Sequence, residues 1–178
     1  MMRVVLTGSE STGKTTLAGR LAEYYDVELV PEFVRGYAEA KGGLIEFADH
    51  GPIARGQMAL EDEHIARATS LLVQDTDLLS TVVYCDHYFG QCPPWIREAE
   101  AARRPDLYLL CEIDVDWVHD GVRDRGHMRE AMQELFRDAV RETGIATAVI
   151  TGGWGERLQR AVDAIDALVL AGGTRRRL

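Results

Sequence analysis

No asparagine occurs anywhere in the 178 residues, and lysine occurs only twice, at Lys14 and Lys41, among twenty basic residues. The missing asparagine removes the Asn-Lys-x-Asp base-recognition motif of the switch GTPases. It also removes a protein-kinase catalytic loop, which uses an Asn to hold its second metal ion. Cysteine is scarce and odd in number, and Cys85, Cys92 and Cys111 lack the paired spacing of a zinc site or redox motif, so they read as reduced, partly buried thiols. The five histidines show no metal-ligand spacing either and read as surface or structural residues. Apolar runs such as Leu107 to Cys111 fall far short of the roughly 20 residues of a membrane span. The chain also enters a strand pattern at once, without a signal-like region, so the expectation is a cytoplasmic protein with no membrane partner. Acidic residues outnumber basic ones, 29 to 20, for a net charge of −9. Nucleic-acid binders need a basic surface to displace counterions, so no nucleic-acid partner is expected. The exception, Arg175 to Arg177 after Gly172 and Gly173, reads as a flexible basic tail over 172–178.

What the chain does have is length for one domain, expected over 1–171, and 46% apolar residues to fill its core. Runs with β-branched character recur at Arg3 to Thr7, Val27 to Val30, Leu71 to Gln74, Leu107 to Glu112 and Ala146 to Thr151. Between them lie helical spacings: Leu17 with Leu21, Met58 with Ile65 and Leu72, Met128 with Met132 and Leu135, and Leu158 with Val162, Ile165 and Val169. Strands that alternate with helices predict an α/β protein with a central five-stranded parallel sheet and helices on both faces.

The strongest motif is the run from Gly8 through Ser9, Glu10, Ser11, Thr12, Gly13, Lys14 and Thr15 to Thr16, which fits the Walker A pattern and sits between a predicted strand and a predicted helix. Glycines let such a loop close around a phosphate. Backbone N–H groups and the positive end of the next helix bind its oxygens, and a hydroxyl after the lysine is offered to Mg²⁺. One of only two lysines stands where a slender point charge fits and a planar guanidinium does not. The fold expected is therefore the three-layer P-loop NTPase, with ATP contacts at Gly8, Glu10, Ser11, Thr12, Gly13, Lys14, Thr15 and Thr16.

Beyond the loop, the chain offers pieces of an acceptor site. In a doubly wound sheet ligands lie past the carboxyl ends of the strands, and Glu32 and Arg35 follow the second of them. Glu32 is a candidate to accept a proton from an attacking hydroxyl, and Arg35 to position the acceptor or a phosphate. The alternative is a salt-bridged helix start. The third strand runs into Asp75-Thr76-Asp77 as a Walker B element does, with Asp75 the better Mg²⁺ ligand beside Thr15. Asp77 either caps a helix from Leu78 or binds an acceptor hydroxyl. Tyr88 and Trp95 flank a stretch that either walls a pocket for a flat heteroaromatic ring or packs into the core. The segment 117–128 carries Trp117 and, between Gly121 and Gly126, Arg123 and Arg125, and reads either as a lid whose arginines neutralise the transferring phosphoryl group or as a charged surface turn. Phosphoryl transfer depends mainly on positioning and charge, so the general base, Glu32 or Asp75, is left open.

Taken together, these residues resemble the ribosylnicotinamide kinase domain of the NadR proteins. The resemblance covers nearly the whole chain: the Ser-Thr-Gly-Lys-Thr loop, Pro31-Glu-Phe-Val-Arg35, Asp75-Thr-Asp77, the Phe89-Gly-Gln-Cys-Pro-Pro-Trp95 stretch, and Trp117-x-x-Asp120-x-x-Arg123. It implies a small-molecule kinase that uses ATP and Mg²⁺ to phosphorylate a nucleoside, nicotinamide riboside, in NAD salvage. By the same resemblance Trp117 joins Tyr88 and Trp95 as a substrate residue. NadR proteins often add an adenylyltransferase domain and some a DNA-binding region, and 178 residues leave no room for either, so neither activity is expected. The rival readings are a kinase for another nucleoside or small alcohol and a non-catalytic ATP-dependent regulatory module. No feature of the sequence specifies an oligomeric state.

Overall fold

The computed structural model describes residues 1–115 and 128–175. Five strands, β1 (Met2–Thr7), β2 (Glu28–Val30), β3 (Leu71–Asp75), β4 (Leu107–Cys111) and β5 (Thr147–Ile150), form one sheet in the order β2-β3-β1-β4-β5, every pairing parallel. All five expected strands form, each within about one residue of its predicted ends. The central strands are apolar on both faces because both are covered, as a parallel sheet requires. Val4 and Leu6 point into one layer of side chains and Val5 into the other.

Seven helices follow among the described residues: α1 (Lys14–Tyr25), α2 (Phe33–Lys41), α3 (His50–Ile65), α4 (Leu78–Phe89), α5 (Pro94–Ala102), α6 (Arg129–Thr143) and α7 (Trp154–Arg175). Leu17, Leu21, Ala161 and Ile165, all fully buried, seat α1 and α7 on the Val4 and Leu6 face. Leu79 and Val83 of α4, with Phe136 and Val140 of α6, cover the opposite face. A fully buried Leu or Ile contributes about 2 kcal/mol, so these stripes, rather than helix propensity, hold the layers together.

Two expectations are corrected, and two helices carry no clear sequence signal. Leu72 lies in β3, not on the Met58 and Ile65 helix, because α3 stops at Ile65 and the chain turns before Leu71. The short helices α2 and α5, each of nine residues, carry too few turns to show a clear period in the sequence. Finally, α7 continues to Arg175 through Gly172 and Gly173, residues read as the start of a tail.

The register sets up the site. Leu6 pairs with Asp75, and Val30 with Gln74, so the loop after β1, the end of β3 and Glu32 after β2 come together at the carboxyl edge of three adjacent strands. The connection from β1 runs over β3 to β2, while β4 flanks β1 on the other side. A crevice at such a change of direction is where open α/β sheets bind ligands.

Candidate active site

The loop between β1 and α1 adopts backbone conformations that side chains resist. Gly8 has φ +130°, and a Cβ there would lie 2.6 Å from the Cys111 carbonyl oxygen. Gly13 has φ +80°, and a Cβ there would meet the Trp154 ring at 2.6 Å. Ser11, at φ 52°, is left-handed as well. Left-handed residues in a tight loop turn successive N–H groups toward one side, which forms an anion nest continuous with the positive end of α1. Lys14 is buried, and its Nζ donates to the carbonyl oxygens of Gly8 at 2.9 Å and Ser9 at 2.6 Å. The Thr12 hydroxyl donates to Ser9 O at 3.0 Å. The lysine's charge is thus held at the mouth of the nest.

Asp75 joins this loop to the acceptor side. Its carboxylate is hydrogen-bonded by the Thr15 hydroxyl, and its Oδ1 is buried without a hydrogen-bond partner among the described residues. Burial pushes the Asp75 carboxyl up, and the Thr15 bond opposes this. The charge of Glu32 pushes it further up, while Lys14 and Arg35 pull it down. Four sequence-predicted residues, Lys14, Thr15, Glu32 and Arg35, therefore sit close enough for their charges or hydrogen bonds to act on a fifth, Asp75. An unpartnered buried carboxylate oxygen beside a hydroxyl in the first turn of α1 is a donor set that suits a hard divalent cation, so Thr15 and Asp75 fit Mg²⁺. Arg35 lies 3.7 Å from Glu32, one helical turn on, and is the more exposed of the two. The pair is salt-bridged at a helix start, and the charges of both residues act on Asp75.

For Asp77 the structure decides the alternative. Its Oδ1 accepts the Leu79 N–H at 3.0 Å, capping α4, and its Oδ2 accepts the Tyr108 hydroxyl at 2.7 Å in the interior. Both oxygens are committed inside the fold, so its assignment as an acceptor ligand is corrected to a cap. Between the two acids Thr76 is left-handed, at φ 75°, which breaks the strand's regular alternation there. Tyr88 stacks on Tyr84 with centroids 6.0 Å apart. Trp95 has the Arg55 guanidinium over its ring at 4.5 Å. One face of each ring is thus occupied by protein. Trp117, Asp120, Arg123 and Arg125 lie outside the described residues.

Three residues that the sequence reading missed grip the loop from behind. Gln133 Oε1 accepts the Ser9 N–H at 2.9 Å, Arg129 Nη2 donates to Ser11 O at 2.9 Å, and Arg157 Nη1 donates to Thr12 O at 3.0 Å. A signal did exist. Arg129 and Gln133 continue the buried stripe of Phe136 and Val140, and Arg157 stands four residues before Ala161 and eight before Ile165. Polar groups at the head of an apolar stripe face the interior.

The model of a family described as an AAA domain matches residues 3–157, most of the chain. The chain belongs to this family. Among relatives of this AAA domain are the trifunctional NAD biosynthesis/regulator proteins NadR of Salmonella typhimurium and Escherichia coli. Each is 30% identical over 148 residues, covering 80% of this chain and 36% of the relative. The chain thus spans about a third of the length of the curated relatives it matches. Among solved structures, a NadR protein in complex with NR superposes with a TM-score of 0.84 at 27% identity, over 94% of this chain and 51% of that one. A NadR protein in complex with NAD and AMP-PNP gives 0.81 at 26% identity, over 94% and 49%. Thymidylate kinase from Ehrlichia chaffeensis, at 0.66 and 18% identity over 94% and 98%, is alike in fold. No helix among the described residues is long and apolar enough to cross a membrane.

Proposed function

We propose that this AAA domain transfers the γ-phosphoryl group of ATP to nicotinamide riboside, yielding ADP and nicotinamide mononucleotide. The observation that carries the reading is the Thr15 to Asp75 hydrogen bond, which joins the phosphate nest to the Glu32 and Arg35 pair. A carboxylate and a guanidinium beside the nest are the groups that a phosphoryl acceptor's hydroxyl would need there. Similarity to NadR proteins bound to NR and to AMP-PNP supports the same two ligands for this chain.

In this reading Lys14 and the N–H groups from Gly8 to Thr16, that of Glu10 among them, hold the β- and γ-phosphates. Mg²⁺ held by Thr15 and Asp75 would neutralise charge between those phosphates. Asp75 is then occupied, which leaves Glu32 to orient the attacking hydroxyl and accept its proton, with Arg35 fixing the Glu32 carboxylate. Tyr88 and Trp95, with Trp117, wall the nicotinamide ring, and Arg123 and Arg125 neutralise the transferring group.

The test is to incubate the protein with Mg-ATP and a panel of nucleosides and to follow ADP and phosphorylated product by mass. Phosphorylated nicotinamide riboside is the expected product. Product from other nucleosides alone would reassign the acceptor, and ADP formation that no acceptor stimulates would sink the kinase reading.

A further inference from the structure

The grip on the loop has a stereochemical consequence. In a trans peptide the C=O and N–H point in opposite directions, and every described peptide here is trans. The Gly8–Ser9 peptide sends its N–H out to Gln133 and its C=O in to the Lys14 ammonium. The Ser11–Thr12 peptide sends its C=O out to Arg129, so the Thr12 N–H turns the other way. The Thr12–Gly13 peptide sends its C=O out to Arg157, so the Gly13 N–H likewise turns inward. The two arginines thus set the direction of two donors that an anion in the nest would meet.

Neither arginine is needed simply to hold its helix. Arg157 is fully buried, yet α7 already docks through Ala161, Val162 and Ile165. Its guanidinium instead joins loops. Nε donates to Gly152 O at 2.9 Å, Nη2 to Glu112 O at 2.8 Å, and Nη2 also pairs with the Asp114 carboxylate. Asp114 in turn accepts the Gly152 N–H at 2.6 Å. Arg129 Nη2 bridges Ser11 O and Val115 O, the latter at 3.0 Å, and its Nε is buried without a partner among the described residues. Arg129 thus ties the loop to the segment that follows β4.

We propose that Arg129 and Arg157 are positioning residues that hold the Thr12 and Gly13 N–H groups aimed at the nucleotide's phosphates, an inference that rests on the phosphate-nest reading above. Neither side chain touches the phosphate. Each fixes a peptide plane in advance, so that ordering the loop costs nothing when the nucleotide arrives.

The test compares wild type with Arg129→Ala, Arg129→Met and Arg157→Met, measuring Mg-ADP affinity by calorimetry, KM for ATP and for the acceptor, and thermal midpoint. Expected is a loss of ADP affinity of about ten-fold or more, with KM for ATP rising in step and KM for the acceptor unchanged. Millimolar guanidinium ion, which refits the space left by Arg129→Ala, is expected to restore ADP affinity where the same concentration of urea does not. Should Arg157→Met fail to fold, the Arg129 pair carries the test. A folded Arg129→Ala that binds ADP as wild type does overturns the inference, as does a loss of ATP and acceptor binding in parallel. Wild type that binds no ADP overturns this inference and the kinase reading together. Wild type that binds ADP but phosphorylates no nucleoside, with the variants weakened, supports the inference and refutes the kinase reading alone.

Discussion

Tyr108 donates its hydroxyl at 2.7 Å, in the protein interior, to the Oδ2 of Asp77, which stands two residues past the proposed metal ligand Asp75. Burial pushes the Asp77 carboxyl from 3.8 up to about 7. The Tyr108 bond and the Leu79 amide act against that rise, and the charges of Glu61 and Glu100 add to it. The sign follows from linkage: the native state holds this proton to higher pH than the unfolded chain does, so the site's stability is full below about pH 4 and is lost as pH rises toward 7. Unfolding free energy at this site should fall by up to about 4 kcal/mol across that window. Asp77→Asn keeps an oxygen for the cap and removes the charge, so its stability profile between about pH 5 and 8 should be flatter than that of wild type in urea titrations. An equally steep profile in the variant would place the titration elsewhere.

That pair also marks where the sequence stops being readable. The nest was legible because the Gly8 to Thr16 spacing is dictated by phosphate geometry, and the strands were legible because a covered parallel sheet demands unbroken apolar runs. For Asp77, by contrast, the sequence left the cap and the acceptor ligand undivided. Only the left-handed Thr76 between Asp75 and Asp77, whose conformation no neighbouring residue type announces, sends one toward Thr15 and the other toward Tyr108. Arg129 and Arg157 went unread for a related reason, since arginine at a helix start usually means solvent. Their place on an apolar stripe was the contrary signal.

Lys14→Ala tests the nest directly. In the proposed reading the Lys14 ammonium acts by its charge on the phosphates, so turnover should drop by about a hundred-fold or more while the protein stays folded. Steady-state kcat alongside far-UV circular dichroism checks both halves. Unimpaired turnover would remove the residue from the chemistry.

The pairing of Thr15 with Asp75 gives a different signature. Thr15→Ala and Asp75→Asn each remove one expected Mg²⁺ donor, so both should raise the Mg²⁺ concentration needed for half-maximal rate. Thr15→Ser, which keeps the hydroxyl, should stay near wild type. Titrating Mg²⁺ at saturating ATP reads this out. Equal Mg²⁺ requirements in all three variants would mean that the ion is held by other groups.

Two glycines in neighbouring elements should respond in opposite directions. At Gly8, φ of +130° and the Cys111 carbonyl oxygen 2.6 Å from an added methyl leave alanine both a forbidden backbone and a clash with main chain. Gly8→Ala should therefore cost about 3 kcal/mol or more and distort the nest together with it. Gly19 lies within α1 with nothing inside 4 Å of its would-be Cβ, and there alanine gains helix propensity. Gly19→Ala should stabilise by up to about 1 kcal/mol and leave ATP affinity intact. Thermal melts of the two single variants make the comparison. If Gly8→Ala melts with wild type, the strained backbone that shapes the phosphate nest is not a constraint on this loop.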